Sequence, residues 1–184
     1  MRRTDWPVKD RVILRPWLFG SAIFAAFGIA LLAGCRPAVM VVPPHIRNVG
    51  VETVQNLTTD YGLETLMTEE TIRQFQLDGR LPLEDPAHAD LQVRMVLRRY
   101  SEEPILYDPE TNYVLQYRLT VAYDLVGYDR RDGKPLVEEK DKARSVFYYT
   151  DRYTGAASET EERARQRLAE ETGRSTVRLI LEGY

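Results

Sequence analysis

Residues 113–125, YVLQYRLTVAYDL, decide the fold. Tyr113, Leu115, Tyr117, Leu119, Val121, Tyr123 and Leu125 fall on one side of an extended chain, and Gln116, Arg118, Thr120 and Asp124 on the other. A period of two sustained over seven apolar positions predicts a strand with one buried and one wet face. Upstream, residues 91–100 alternate in the same way, with Leu91, Val93, Met95 and Leu97 opposite Gln92, Arg94 and Arg98. Downstream, Asp129-Arg130-Arg131-Asp132-Gly133 reads as a turn, its Asp-Gly supplying residues tolerant of left-handed backbone, and Leu136–Thr150 returns as the partner strand. One-sided strands joined by a tight turn imply an antiparallel sheet that needs a cover on one face.

Two helical segments supply the cover. Leu63, Leu66, Met67 and Phe75 recur at helical spacing, with Asp60 as the expected N-cap and Gly79 as the stop. Their apolar stripe reads as core. Ser158-Glu159-Thr160-Glu161 has the form of a capping box opening a last helix, whose inner stripe is Ala164, Leu168, Thr172, Ser175 and Leu179 and whose middle Gly173 weakens. Glu161 to Arg165 and Glu170 to Arg174 sit at i,i+4 in the favourable acid-first order. Ile46–Val54 reads as a first strand after the stiff Pro43-Pro44, and Arg80–Glu84 as a short strand weakened by Pro82. The expected architecture is a two-layer α+β sandwich: a mostly antiparallel or mixed sheet with two amphipathic helices packed on one face.

The N-terminus belongs to a different class of sequence. Arg2, Arg3, Lys9, Arg11 and Arg15 precede an uncharged run, Leu18–Leu32. At ~1.5 Å per residue that run makes a helix of ~22 Å, short of the ~20 residues that cross hydrocarbon, so a signal peptide fits better than a membrane span. Leu32-Ala33-Gly34-Cys35 follows at once and looks like the lipobox of bacterial lipoproteins, in which the cysteine is lipidated and becomes the mature N-terminus. The expected division is therefore a signal peptide over residues 1–34, a lipidated tether over 35–44 and one α+β domain over 45–184. Arg36 directly after the cysteine favours the outer membrane over the inner, where such lipoproteins tend to carry Asp.

Composition bounds the function. The 184 residues carry 25 basic and 28 acidic side chains, a formal charge of −3. Losing the five basic and two acidic residues of segment 1–34 leaves 20 against 26, or −6. An acidic domain has no global attraction for nucleic acid. One cysteine and two histidines are too few for an internal disulfide or the usual four-ligand zinc site. Only His45 and His88 are available as imidazole bases, one beside two prolines and one in the Asp85–Asp90 turn. Neither position resembles a nucleophile setting, and no phosphate loop or metal motif occurs. Glu102-Glu103, Glu138-Glu139 and Glu161-Glu162 are adjacent in sequence rather than convergent, and read as solvated faces. The expectation is a protein that is not an enzyme and uses no cofactor beyond a covalent lipid on Cys35. What remains is binding by surface. Arg94, Arg98 and Arg118, on the polar faces of the two best strands, are the candidate anion- or lipopolysaccharide-binding residues, although solvation of an open sheet explains them equally.

From the lipobox onward the chain resembles the lipopolysaccharide-assembly lipoprotein family, LptE. The resemblance runs through Pro43-Pro44-His45-Ile46-Arg47, the helix ending Arg73-Gln74-Phe75-Gln76-Leu77-Asp78-Gly79-Arg80, and Ala89-Asp90-Leu91. It continues in the long Tyr113–Tyr128 strand, the Asp132-Gly133-Lys134 turn and the closing Leu179-Ile180-Leu181-Glu182-Gly183-Tyr184. It implies a small lipid-anchored outer-membrane subunit, on the periplasmic side and within the lumen of the β-barrel LptD. There it acts as plug and assembly factor and helps place lipopolysaccharide in the outer leaflet, without binding nucleic acid. The family contacts lipopolysaccharide through basic residues near the hairpin before the long strand and in the loop before the last helix. Here those places hold Tyr107-Asp108-Pro109-Glu110 and Gly155-Ala156-Ala157-Ser158, so no such residue carries over. The alternative is a stand-alone envelope lipoprotein acting as a periplasmic binding or scaffold module.

Overall fold

The structure, a computed structural model, describes residues 42–155 and 157–183. Five strands form one mixed sheet: β1 (Val49–Val51), β2 (Gln55–Asn56), β3 (Leu91–Tyr107), β4 (Val114–Asp129) and β5 (Pro135–Tyr149). The order is β1-β3-β4-β5, with β2 following β1 along the same edge of β3. β1 and β2 run parallel to β3, and the other pairs are antiparallel. Helices α1 (Leu63–Asp78) and α2 (Glu161–Glu182) pack on each other and, with the inward strand residues, close one core. The chain forms the expected two-layer α+β sandwich.

The alternation in the sequence is what the core uses. Leu91, Val93, Met95 and Leu97 of β3 and Leu119, Val121, Tyr123 and Leu125 of β4 are buried, and pairs such as Met95 with Leu125 and Leu97 with Tyr123 stand opposite each other. From α1, Leu63, Met67 and Phe75 fill the space above them, joined by Leu168 and Leu181 of α2. Two glycines mark close approaches of α2 to its neighbours. A Cβ on Gly127 of β4 would lie 2.6 Å from Ile180 Cδ1, and one on Gly173 of α2 would lie 3.1 Å from both Gln74 Cγ and the Glu70 carbonyl oxygen of α1. Gly173, which weakens the helix in isolation, is what lets the two helices touch. Glu70 is buried at this crossing, and its carboxylate accepts from Arg73 Nε at 2.8 Å and Gln166 Nε2 at 2.5 Å.

Several local expectations are corrected. The expected strand Ile46–Val54 shrinks to the three residues of β1, with β2 following just beyond it at Gln55–Asn56, and Arg80–Glu84 contributes only a single bridge, Leu83 to Val49. β3 runs on to Tyr107, because a bulge between Leu97 and Arg99 shifts the register and brings Tyr100 to the inner face opposite Val121. Asp60 does not cap α1. Gly62, at φ 85°, is the N-cap and donates to Glu64 at 3.3 Å, while the Asp60 carboxylate pairs with Arg165. The Ser158 capping box does not form either. The Glu159 N–H is tied to the Tyr149 carbonyl at 2.9 Å and its carboxylate to Arg167 at 2.6 Å, so the helix starts two residues later, capped by Thr160, which accepts from the Arg163 N–H at 3.3 Å. Gly79, at φ 69°, ends α1 as expected by donating to the Phe75 carbonyl at 3.1 Å. Gly133, at φ 67°, completes the β4–β5 turn. The signal peptide, the lipobox residues Leu32, Ala33 and Gly34, and Cys35 lie outside the described residues.

Candidate interaction surface on the open sheet face

The sheet face away from the helices carries the three arginines singled out from sequence. Register puts Arg94 opposite Val126 and Arg118 opposite Glu103, while Arg98 sits at the bulge. Each guanidinium has its own carboxylate. Arg94 donates through Nε and Nη2 to the two oxygens of Glu52, at 2.9 and 3.0 Å, and lies 5.4 Å from the Tyr128 ring centroid. Glu52 accordingly holds the Arg94 pKa above its ordinary value. Arg98 Nε meets Asp124 Oδ2 at 2.7 Å, and the other Asp124 oxygen accepts the Asp141 N–H at 2.9 Å. That backbone donor first, and Arg98 after it, hold the Asp124 carboxyl below the usual range. Arg118 Nη2 meets Glu103 at 2.5 Å and lowers the Glu103 pKa.

The three arginines do not converge. Arg94 and the position opposite Arg118 are nine residues apart along β3, roughly 30 Å at ~3.3 Å per residue. No single phosphate can be gripped by all three. The open face is a strip of closed ion pairs interleaved with neutral hydroxyls, such as Thr120 bonded to Ser145 at 2.8 Å, and not a cationic patch.

The distal end, where β3 finishes and β4 begins, has a different character. Ile105, Leu106, Tyr107, Tyr113 and Phe147 are 38% to 50% exposed. Arg152 lies over the Tyr113 ring at 3.9 Å, and Tyr149 stacks on Tyr153 at 4.6 Å. Beyond Leu97 the outer edge of β3 has no partner strand among the described residues. An apolar patch beside an open strand edge is the surface chemistry of protein docking. Behind it, Tyr148 stacks on Tyr117 at 5.3 Å and donates to Glu102. Burial first, and Glu102 next, push the Tyr148 hydroxyl up. The sequence reading missed this end, because the charges and proline of Ser101-Glu102-Glu103-Pro104 interrupt the alternation and the three adjacent apolar residues Ile105-Leu106-Tyr107 do not resume it.

At the opposite end, where the chain enters from the tether, His45 is not an idle surface group. Its Nε2 lies 2.6 Å from Asp129 Oδ2 and joins the tether to the end of β4. The second Asp129 oxygen accepts the Arg131 N–H at 2.9 Å, and this donor leads in holding the Asp129 pKa down. His88 is exposed, 3.6 Å from Asp85. Among the described residues no three His, Cys, Asp or Glu side chains are grouped to hold a metal ion.

The family model described as LptE, lipopolysaccharide-assembly, matches residues 46–179, which span all five strands and nearly the whole of both helices. The chain belongs to the LptE family. Among solved structures it is similar to the hypothetical protein CT253 from Chlamydia trachomatis, at 14% identity and TM-score 0.49 over 76% of this chain and 97% of that one. It is also similar to an uncharacterized lipoprotein B from Nitrosomonas europaea, at 10% identity and TM-score 0.48 over 80% and 90%. A third is a putative lipoprotein from Caulobacter crescentus, at 16% identity and TM-score 0.44 over 70% and 88%. These likenesses say nothing of function. No curated protein matches the chain in sequence. As an LptE-family member it is a lipopolysaccharide-assembly protein of the bacterial envelope.

Proposed function

We propose that this chain is the lipid-anchored outer-membrane subunit of a lipopolysaccharide transport complex, seated in an LptD-type β-barrel. There it serves as plug and assembly factor while lipopolysaccharide passes to the outer leaflet. The observation that carries the reading is the family match across the whole folded domain. The lipobox Leu32-Ala33-Gly34-Cys35 supplies the anchor, with Cys35 as the lipidated residue. The distal patch of Ile105, Leu106, Tyr107, Tyr113 and Phe147 supplies a surface for the barrel. The ion-paired open face suits a polar, water-lined lumen, since it presents hydrogen-bonding groups with little net charge.

The role is not catalytic in this reading. Arg94, Arg98 and Arg118 position the open face through their carboxylates and do not act as a joint phosphate grip. The test is purification of the tagged, full-length protein from outer membranes. A large β-barrel recovered in about equal amount, and altered surface lipopolysaccharide on depletion, are the expected results. Recovery without a barrel, and with surface lipopolysaccharide unchanged, refutes the proposal and leaves a stand-alone scaffold lipoprotein.

A further inference from the structure

A groove of about 430 Å³ opens where the described chain begins, lined by Val42, Pro43, Leu136, Val137, Leu179 and Ile180. Its β5 wall runs on from Leu136 and Val137 into Glu138 and Glu139, so four consecutive strand residues border it. Consecutive strand residues point to opposite faces, and a groove that touches all four follows the outer edge of the strand. β5 is the last strand of the sheet, with no neighbour beyond it among the described residues. Alternate residues along that edge therefore hold their N–H and C=O groups away from β4. Leu136 is 39% exposed, and Val137 is half-buried. The two acids already have partners, Glu138 in Lys140 at 2.9 Å and Glu139 in Lys142 at 3.2 Å.

The chain is already fixed where it meets this groove. His45 is held by Asp129, the Ile46 N–H donates to the Pro43 carbonyl at 3.0 Å, and Val42 packs against the core. The residues before Val42 therefore start from the groove's own wall. Their composition suits it, since Pro37–Pro44 reads PAVMVVPP and carries no polar or charged side chain. A leash that stays hydrated is rich in Gly, Ser or charge, whereas β-branched valines favour the extended form that a strand edge accepts. We infer that Val39-Met40-Val41 dock in this groove as an extended segment along the outer edge of β5. The occupant is the protein's own tether, which covers an edge that would otherwise stand open to foreign strands. With Cys35 lipidated as proposed, docking also shortens the free leash. Seven peptide steps before Val42 reach at most ~25 Å, and four before Val39 at most ~14 Å. The docking itself does not depend on the lipid.

The experiment uses the full-length protein purified in mild detergent. Met40→Cys is paired either with Leu136→Cys in the groove or with Ala87→Cys, an exposed position in the loop before β3 at the same end of the sheet. A disulfide needs Cα atoms within about 7 Å, and a docked segment holds position 40 near position 136 at high effective concentration. The 40–136 bond is expected to form within one chain at least about tenfold faster than the 40–87 bond, with peptide mapping to identify the cysteines joined. Equal rates describe a tether that swings freely, and a bond between two chains puts a second copy in the groove. Either result overturns the inference. Hydrogen exchange at the amides of Leu136–Glu139 is an independent reading. Val39→Ser/Met40→Ser/Val41→Ser speeds it at least about tenfold, while Val121 and Tyr123 in the core part of β4 keep their rates and report a folded variant. Unchanged exchange at Leu136–Glu139 overturns the docking. So does a chain lacking Tyr184 that exposes the same amides when the tether variant does not, because the groove then belongs to the C-terminus.

Discussion

Replacing Gly173 by alanine separates two opposing effects at the helix crossing. In a solvent-facing helix interior, Gly→Ala stabilises by about 1 kcal/mol, because the unfolded chain loses freedom. Here the new Cβ meets the Glu70 carbonyl oxygen and the Gln74 side chain at 3.1 Å, and the Glu70 carbonyl carbon at 3.2 Å, against 3.4–4 Å for ordinary contact. Gln74 can shift its side chain, but two of the three atoms belong to the backbone of α1 and move only if the helices separate. Overpacking of this kind costs about 1–3 kcal/mol. The net expectation for Gly173→Ala is a loss of zero to about 2 kcal/mol, and for Gly173→Leu a loss beyond 3, roughly. The assay is urea denaturation of the soluble chain from residue 36, followed by circular dichroism, with Arg174→Gly as the exposed control. That neighbour points to solvent and pairs with Glu170 at 2.8 Å, so Arg174→Gly loses about 1 kcal/mol through helix propensity and about 0.3–0.5 kcal/mol more with the pair. A midpoint that rises for Gly173→Ala refutes the close approach.

Phe75→Ala empties a site that is 1% exposed between α1 and the sheet and is expected to cost about 3–5 kcal/mol, read by the same denaturation. Tyr100→Phe removes a buried hydroxyl that has no partner among the described residues and is expected to be neutral or stabilising by up to about 1 kcal/mol. Burial pushes the Tyr100 hydroxyl from 10.0 up to about 12, so the neutral form is favoured in the fold. Its contribution to stability is complete below pH 10, about the unfolded value, and is lost as pH rises toward 12. Tyr100→Phe flattens that part of the alkaline unfolding curve, and an unchanged curve refutes the assignment. Cys35→Ser abolishes incorporation of labelled palmitate and leaves the precursor uncleaved, as gel mobility reports, whereas a processed, labelled variant refutes the lipobox.

The parts of the fold legible in the sequence are those where one physical pattern acts alone. β4 alternates from Leu115 to Leu125, burying Leu119, Val121, Tyr123 and Leu125 and half-burying Leu115 and Tyr117, whereas Tyr113, expected on the same buried side, lies just before the strand and is 50% exposed. The Asp132-Gly133 turn and the Gly79 stop are local backbone requirements that only a few residues meet. Legibility ends where tertiary partners compete for a group the local pattern also claims. Asp60 is a good cap by type, yet Arg165, 105 residues away, takes its carboxylate. Glu159 belongs to a capping box by spacing, yet the Tyr149 carbonyl and Arg167 hold it against the sheet. β3 past Tyr100 was hidden because the bulge at Leu97 and Arg99 changes which parity faces inward, and period two cannot be followed through a one-residue slip.

The arginines show the same limit at the level of function. Sequence places Arg94, Arg98 and Arg118 on one wet face and counts them as positive charge. Whether a guanidinium is available to a ligand depends on its cross-strand neighbour, which register alone decides. Register sets Glu103 beside Arg118, and the parallel pairing of β1 brings Glu52 to Arg94. The bulged β5, with Asp141 at φ 51°, presents its backbone to Asp124 and fixes the carboxylate that holds Arg98. Arg130 and Arg131 lie in a tight turn whose nearby carboxylates, Asp129 and Asp132, bond turn amides, His45 and Lys134. The turn's acids spend their hydrogen bonds on its own amides, His45 and Lys134, and among the described residues Arg130 and Arg131 have no carboxylate within 4.0 Å, although they stand beside two.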